Sequence, residues 1–124
     1  MPRIGCPMAS SHRILLVEDD VLIGMMLADM FDALDLPEPA QATSNDEALA
    51  LIAAEPLAGA LVDINLGDEK GWPIADALAE RGIPFAFTSG GGDVIPPAHA
   101  HRKLITKPFR ISDIEAALED FSAQ

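Results

Sequence analysis

Four short apolar segments each run directly into a polar side chain that can do chemistry, and this arrangement constrains the fold most. The segments are 14–17, 60–62, 85–87 and 104–106. They lead, in that order, into Glu18-Asp19-Asp20, Asp63, Thr88-Ser89 and Lys107-Pro108. In an open parallel sheet the carboxyl ends of the strands share one edge, where ligands bind. The sequence therefore predicts carboxylates, a hydroxyl and an ammonium around one point, which suits a divalent cation with a phosphoryl group.

Strand-length apolar runs alternate along the chain with segments of helical period, as in repeated strand–helix units. The predicted strands are 13–17, 39–42, 60–64, 85–88 and 104–106, and the predicted helices are 21–34, 44–54, 73–81 and 112–121. Two Ser-x-x-Glu capping boxes, Ser44 with Glu47 and Ser112 with Glu115, mark helix starts. Segment 90–102 breaks the alternation with three glycines and two prolines. We expect a loop or at most one helical turn there.

The size and composition of the chain indicate one soluble domain. Its 124 residues fit a single domain, and no 18-residue apolar stretch predicts a membrane span. Residues 1–11 contain no apolar block and are predicted to be a flexible extension rather than a signal peptide. The single cysteine, Cys6, allows no internal disulfide, so we expect a cytoplasmic protein.

The net charge of −12 argues against a nucleic-acid partner, because such a surface repels phosphate backbones. The same charge is compatible with a basic protein partner or simply with solubility.

The acidic residues after the first strand have two interpretations. Carboxylates at the start of a helix cap it and complement its dipole, so 18–20 on their own suit capping or solvated charge. Asp63 at a second strand end changes this, because carboxylates brought together repel one another unless a cation lies between them. Oxygen ligands with no nearby histidine or cysteine favour Mg²⁺ over Zn²⁺.

The remaining polar candidates also keep alternatives. Lys107 suits either an ordinary salt bridge or a point charge that holds a phosphoryl oxygen on Asp63. Ser89 suits either a turn before Gly90 or a phosphate-binding hydroxyl. Thr88 competes with it, but neighbouring strand residues face opposite ways, and Ser89 lies nearer the strand end. His12, His99 and His101 are predicted to be solvated, and Met25, Met26 and Met30 to lie in the core.

These runs together resemble the receiver domain of two-component response regulators. The matching runs, in order, are ILLVEDD, LVDINLGDEKG, IPFAFTSGG and KLITKPF, and they cover nearly all of 13–121. The resemblance implies an α/β, flavodoxin-like (CheY-like) three-layer fold over 12–124, with a five-stranded parallel sheet of order 2-1-3-4-5. FTSG is also close to a Phe-Ala-Thr-Gly-like run that marks a subgroup of stand-alone receivers.

The resemblance also implies a role for each candidate residue. Asp63 would accept a phosphoryl group from a histidine kinase or a histidine phosphotransfer protein. Mg²⁺ would be held by Glu18, Asp19, Asp63 and the backbone carbonyl of Asn65, while Ser89 and Lys107 would be the switch hydroxyl and the phosphate-binding lysine. With no output domain after residue 121, we expect a single-domain regulator that signals by contact with an unknown downstream protein. It would not be an enzyme, apart from catalysing its own phosphorylation and dephosphorylation.

Three departures from the family pattern bear on this prediction. Leu104 stands where the family has an aromatic residue three positions before the lysine, and Gly67 replaces a common proline. The interval from Ser89 to Lys107 is short by about one helical turn, so the fourth helix is expected to be short or absent.

Two other functions remain open. Leu104 and segment 90–102 favour a receiver-like interaction module that is never phosphorylated. A haloacid-dehalogenase-like phosphatase uses similar residue types, but it requires Asp-x-Asp on the first strand. Here the acidic pair comes first in the chain, and Asn65 takes the place of the second aspartate.

Overall fold

The computed structural model describes residues 13–122. The predicted extension 1–11, which includes Cys6, lies outside these residues, and so does His12. The strands are β1 (Arg13–Val17), β2 (Ala40–Ala42), β3 (Leu57–Asp63), β4 (Asn65–Leu66), β5 (Glu69–Lys70), β6 (Phe85–Ser89) and β7 (Leu104–Thr106). The helices are α1 (Val21–Ala33), α2 (Asn45–Ala54), α3 (Trp72–Glu80) and α4 (Ile111–Ser122), with a 3-10 turn at Pro97–His99.

Five strands form one parallel sheet in the order β2-β1-β3-β6-β7. Strands β4 and β5 form a separate antiparallel hairpin, so β6 and β7 are the fourth and fifth strands of the main sheet. The predicted order 2-1-3-4-5 and the CheY-like fold are confirmed. Parallel pairing aligns Val17 with Val62 and Asp63 with Thr88, which brings the carboxyl ends of these strands to one edge.

The alternation of side chains along the strands divides the core into two clusters, one on each face of the sheet. Leu15, Val17, Ala60, Val62 and Phe87 pack with residues of α2 and α3. Leu16, Leu61, Ala86 and Ile105 pack with residues of α1 and α4. Because both faces are covered by helices, the fold has the three predicted layers.

The two predicted capping boxes have different outcomes. The Ser44 hydroxyl accepts from the Glu47 N–H at 3.2 Å, as expected, although the Glu47 carboxylate bonds to the Thr43 N–H at 2.7 Å. The second box is wrong, because α4 begins at Ile111 and Ser112 lies inside it. The Asp113 carboxylate accepts from the Arg110 N–H at 3.1 Å, and a charged acceptor makes a stronger bond than a hydroxyl.

The segment predicted to lack a helix contains only the 3-10 turn, so the expectation of a much reduced fourth helix is confirmed. His101 is exposed as predicted, but His99 is 4% exposed and the prediction of a solvated ring is wrong. The His99 ring lies against Phe85 and Phe87, and its Nε2 lies 2.8 Å from Asp76 Oδ1. An aromatic ring with one polar partner can be buried where periodicity gives no sign of it.

The methionine prediction is wrong for two of the three residues. Met25 is 59% exposed and Met26 36% exposed, whereas Met30 packs against the core. The buried positions of α1 are Gly24, Leu27 and Phe31, at intervals of three and four residues, so the core-facing stripe lies elsewhere on the helix.

Two further features position the site. Trp72, at the start of α3, contacts Phe87 edge to face with ring centroids 5.5 Å apart. The Lys107–Pro108 peptide bond is cis.

Within residues 13–122, no helix combines the length and the apolar character needed to cross a membrane.

Candidate functional site

Three carboxylates meet at the carboxyl edge of the sheet. Glu18 follows β1, Asp63 ends the neighbouring β3, and both are buried, while Asp19 is exposed. One oxygen from each of the three lies within 4.8 Å of the others. The Glu18 Oε2 atom also accepts from the Asp20 N–H at 3.2 Å, which fixes this carboxylate relative to the start of α1. The predicted acidic cluster therefore exists, and its oxygens are spaced closely enough to share one cation.

Lys107 places one ammonium group between the two buried carboxylates. Its Nζ lies 2.8 Å from Asp63 Oδ2 and 2.9 Å from Glu18 Oε1. The Lys107 N–H donates to the Ser89 carbonyl at 2.8 Å, so the end of β6 holds the lysine backbone in place. The prediction that Lys107 reaches Asp63 from another strand end agrees with this geometry.

Burial and charge shift two pKa values here. Burial, followed by the neighbouring Asp63 carboxylate, raises the pKa of Glu18 to about 7, against the opposing effect of Lys107. Burial on its own would lower the pKa of Lys107, but its hydrogen bonds to Asp63 and Glu18 outweigh this and raise it. A cation between the carboxylates would favour their ionised forms, so this donor set fits a divalent cation.

The hairpin of β4 and β5 presents Asn65 to the site. Its N–H donates to Asp63 Oδ1 at 3.1 Å. Because the Gly71 N–H bonds to the Ile64 carbonyl, Asn65 and Lys70 form a pair that exchanges no backbone hydrogen bonds. The hairpin therefore leaves the Asn65 carbonyl free for another partner, as its predicted role as a ligand requires.

Two glycines allow the hairpin to lie this close to the acidic cluster. Gly67 has a φ of +64°, which residues other than glycine rarely adopt. A Cβ there would lie 3.7 Å from Asp19 Oδ2. At Gly71 a Cβ would lie 2.8 Å from the Asp63 carbonyl oxygen. An open cleft of about 370 Å³ lies over the cluster, lined also by Gly67 and Gly90.

Ser89 is fully buried at the end of β6, and its hydroxyl faces the loop that follows. It donates a hydrogen bond to the Asp93 carboxylate and accepts one from the Gly91 N–H at 2.9 Å. Among residues 13–122, its hydroxyl makes no hydrogen bond to Asp63 or Lys107. The structure thus connects Ser89 to the acidic cluster through other side chains rather than directly.

The connecting residue is Asp93, which sequence reasoning missed. Its carboxylate accepts from Asn65 Nδ2 at 3.0 and 3.2 Å, and Lys70 Nζ lies 3.7 Å away. The hydrogen bonds from Ser89 and then Asn65 hold its pKa below the ordinary value. The signal available in the sequence was one acidic residue four positions after the candidate hydroxyl, within a glycine run that has no periodicity.

The structure is similar to solved receiver domains. No protein-family model matches the sequence, and no curated protein sequence does. The solution structure of SdrG from Sphingomonas melonis Fr1 is 36% identical, with a TM-score of 0.79 over 91% of this chain and 98% of SdrG. The chain belongs to the receiver-domain family of response regulators. The BeF3-activated conformation of SdrG, from Pseudomonas melonis Fr1, is 38% identical, with a TM-score of 0.74 over 87% of this chain and 98% of that one.

One more distant receiver domain shares the fold with a metal present. The receiver domain of sensor histidine kinase PA1611 from Pseudomonas aeruginosa PAO1 has magnesium coordinated in its active site cleft. It is 15% identical, with a TM-score of 0.76 over 91% of this chain and 98% of that one. Receiver domains are components of two-component phosphorelays, so the haloacid-dehalogenase alternative is set aside. In the present chain, the acidic cluster of Glu18, Asp19 and Asp63 is compatible with a bound magnesium ion.

Proposed function

We propose that this receiver domain accepts a phosphoryl group on Asp63 from the phosphohistidine of a histidine kinase or a histidine phosphotransfer protein. The observation that carries the proposal is the buried Asp63 carboxylate, 2.8 Å from the Lys107 ammonium and beside two further carboxylates. A carboxylate attacks phosphorus only when the charge on the transferring group is neutralised, and this pocket provides that neutralisation.

Mg²⁺ is the proposed cofactor. Glu18, Asp19 and Asp63 would hold it with the Asn65 carbonyl, which the hairpin ladder leaves free. Bound there, the ion would offset the negative charge of the phosphoryl oxygens. The magnesium in the PA1611 receiver domain and the BeF3 activation of SdrG support this assignment.

Each side chain of the pocket has a separate role in phosphoryl transfer. An Asp63 oxygen forms a bond to phosphorus as the P–N bond of the donor breaks and its electron pair returns to the imidazole. Lys107 offers its ammonium to a phosphoryl oxygen, and the Asn65 N–H holds the other Asp63 oxygen in place. The Ser89 hydroxyl then donates to the phosphoryl group. Catalysis consists of positioning and charge, so the domain is not an enzyme toward external substrates, although it promotes its own phosphorylation and dephosphorylation.

The start of α1 offers a docking surface for the donor protein next to the acidic cluster. Val21, Leu22 and Met25 are 66%, 76% and 59% exposed, and they follow Asp20 directly. An apolar patch of this kind at the rim of a site is typical of protein–protein contact. We therefore propose that a protein occupies this surface, and neither a nucleic acid nor a membrane. We place this contact in the cytoplasm. In the phosphorylated state, the domain would act on an unknown downstream protein by direct contact.

The deciding experiment is intact-mass measurement after incubation with acetyl phosphate and Mg²⁺. The wild type is expected to gain the mass of one phosphoryl group, and Asp63→Ala is expected to gain none. Chelating the magnesium should abolish the gain. If neither acetyl phosphate nor a phosphorylated phosphotransfer protein modifies the wild type, the domain is an interaction module that is not phosphorylated.

A further inference from the structure

The Asp93 carboxylate accepts hydrogen bonds from two side chains near Asp63 and forms an ion pair with a third. The Ser89 hydroxyl and the Asn65 side-chain amide each donate to the Asp93 carboxylate. The Lys70 ammonium is the ion-pair partner, with its Nζ 3.7 Å from Asp93 Oδ1. The Asp93 side chain is only 13% exposed. Hydrogen bonds to a charged carboxylate are stronger than those between neutral groups, so Asp93 holds these side chains in place.

These donors lie next to the phosphoacceptor. Asn65 also bonds to Asp63 through its backbone N–H, at 3.1 Å. Ser89 follows Thr88, which is paired in register with Asp63 on the neighbouring strand. The Asp93 carboxylate and a phosphoryl group on Asp63 are therefore anions within reach of one set of donors.

Ser89 cannot serve both anions at once. A hydroxyl has a single O–H to donate, and that of Ser89 points to Asp93, while its oxygen already accepts from the Gly91 N–H at 2.9 Å. Two anions sharing the same donors would also repel each other. A hydrogen bond from Ser89 to a phosphoryl group therefore requires the loss of the bond to Asp93.

The residues on either side of Asp93 are loosely packed. Gly91 and Gly92 have positive φ values of +112° and +80°, and a Cβ at either would meet nothing within 4 Å. Val94 is 87% exposed, so the residue after Asp93 is not packed either. The next anchors along the chain are Ile95, whose partly buried side chain packs against the core, and the buried ring of His99.

We propose that Asp93 is a built-in competitor of the phosphoryl group: in the unphosphorylated domain its carboxylate holds the Ser89, Asn65 and Lys70 side chains, and phosphorylation displaces it together with residues 90–94. The inference rests on the proposed phosphorylation of Asp63. The glycine-rich segment lies where the family has its fourth helix. Under this proposal, its conformation depends on whether Asp63 is phosphorylated.

The test compares the wild type with Asp93→Ala and Asp93→Asn in two measurements. One is the rate of mass gain at limiting acetyl phosphate with Mg²⁺, and the other is the dissociation constant for beryllium fluoride with Mg²⁺. Asp93→Ala is expected to bind beryllium fluoride about tenfold more tightly and to be phosphorylated faster, since no donor has to be taken from a competitor. Asp93→Asn keeps the shape of the side chain without its charge and should lie between the two.

Two controls separate competition from other effects. Asp68→Ala removes an equal charge from the exposed tip of the β4–β5 hairpin, which carries Asn65 and Lys70, and it should change affinity by less than about twofold. In a Ser89→Ala background, the Asp93→Ala gain should shrink, because the two residues form one hydrogen bond. The Gly91 and Gly92 amide resonances of the wild type should shift on binding, and in Asp93→Ala they should already lie near the bound positions.

Each outcome decides the inference. Weaker binding or slower phosphorylation in Asp93→Ala would mean that Asp93 orients the donors productively, and the inference would be overturned. A gain equalled by Asp68→Ala would also overturn it, because charge alone would explain the effect. If the wild type is phosphorylated and neither Asp93 variant differs from it, only this inference fails. If acetyl phosphate and a phosphorylated phosphotransfer protein modify neither the wild type nor the variants, the proposed function fails with the inference, whereas modification of Asp93→Ala alone by acetyl phosphate would support competition.

Discussion

The two sides of the pocket are built by different kinds of structure. The acidic side consists of Glu18, Asp19, Asp63 and Lys107, which are placed by the ends of β1, β3 and β7. The hydroxyl side consists of Asn65, Lys70, Ser89 and Asp93, of which all except Ser89 lie on the hairpin or the glycine-rich loop. The sheet fixes the first set through the register of parallel strands, whereas the second depends on side-chain contacts between two short segments.

This difference teaches which contacts are exchangeable. On the acidic side Lys107 bridges two buried carboxylates, and its removal would leave both without their cation. On the hydroxyl side the Ser89 and Asn65 side chains donate to Asp93, and the residues beside Asp93 are loosely packed. We therefore expect acidic-side substitutions to abolish transfer and hydroxyl-side substitutions to adjust it.

The largest effect is expected from Lys107→Met, which tests the acidic side directly. Without the ammonium, charge on the transferring phosphoryl group is less well neutralised, and the rate of phosphorylation by acetyl phosphate should fall at least about a hundredfold. Intact mass over time measures it. Lys103→Met, at the opposite, amino end of β7 and paired with Asp120 at the surface, is the matched control and should behave as wild type. A Lys107→Met rate within about threefold of wild type would contradict the comparison.

An intermediate effect is expected from His99→Ala, which tests what anchors the loop. Truncating this ring leaves a cavity beside Phe85 and Phe87 and should reduce the free energy of unfolding by about 2–3 kcal/mol. Asp76→Ala keeps the ring and removes only its partner on an exposed aspartate, so a loss of about 0.5–1 kcal/mol is expected. Urea unfolding of both variants decides the matter. Equal losses would show that the hydrogen bond, and not the packing of the ring, holds the segment.

The smallest effect separates two glycines of the pocket wall. Gly71→Ala forces a Cβ to within 2.8 Å of the Asp63 carbonyl oxygen and 3.0 Å of Val62 Cγ1, and should destabilise the fold by about 1–2 kcal/mol. Gly90→Ala meets nothing within 4 Å and should be nearly neutral. Thermal melting of the pair measures the contrast. If Gly90→Ala were the more damaging, the loop side would be the more tightly packed one.

Most of the acidic side could be predicted because strand ends are visible in a sequence. The apolar runs before Glu18, Asp63 and Lys107 identified three strands, and parallel order then required their ends to meet. The proposed role of the Asn65 carbonyl as a metal ligand came from resemblance alone, and the pairing in the hairpin, which leaves this carbonyl free, supports the proposal.

The rest was hidden because it depends on tertiary contacts that leave no periodic trace. Asp93 lies in a glycine run where no pattern indicates a direction for its side chain. His99 was taken as solvated because it lies among prolines and alanines, and only the fold brings Phe85, Phe87 and Asp76 around it. The box at Ser112 failed for a local reason, since Asp113 supplies a charged acceptor one residue later.

The contact of Trp72 with Phe87 has an experimental consequence. The indole begins α3 directly after the hairpin, and it touches β6 two residues before Ser89. Any shift of the hairpin against β6 would change the surroundings of this ring. Because the chain has one tryptophan and no tyrosine, its ultraviolet emission comes almost entirely from that single position. The domain therefore carries a natural optical reporter at the junction of the two sides of its pocket.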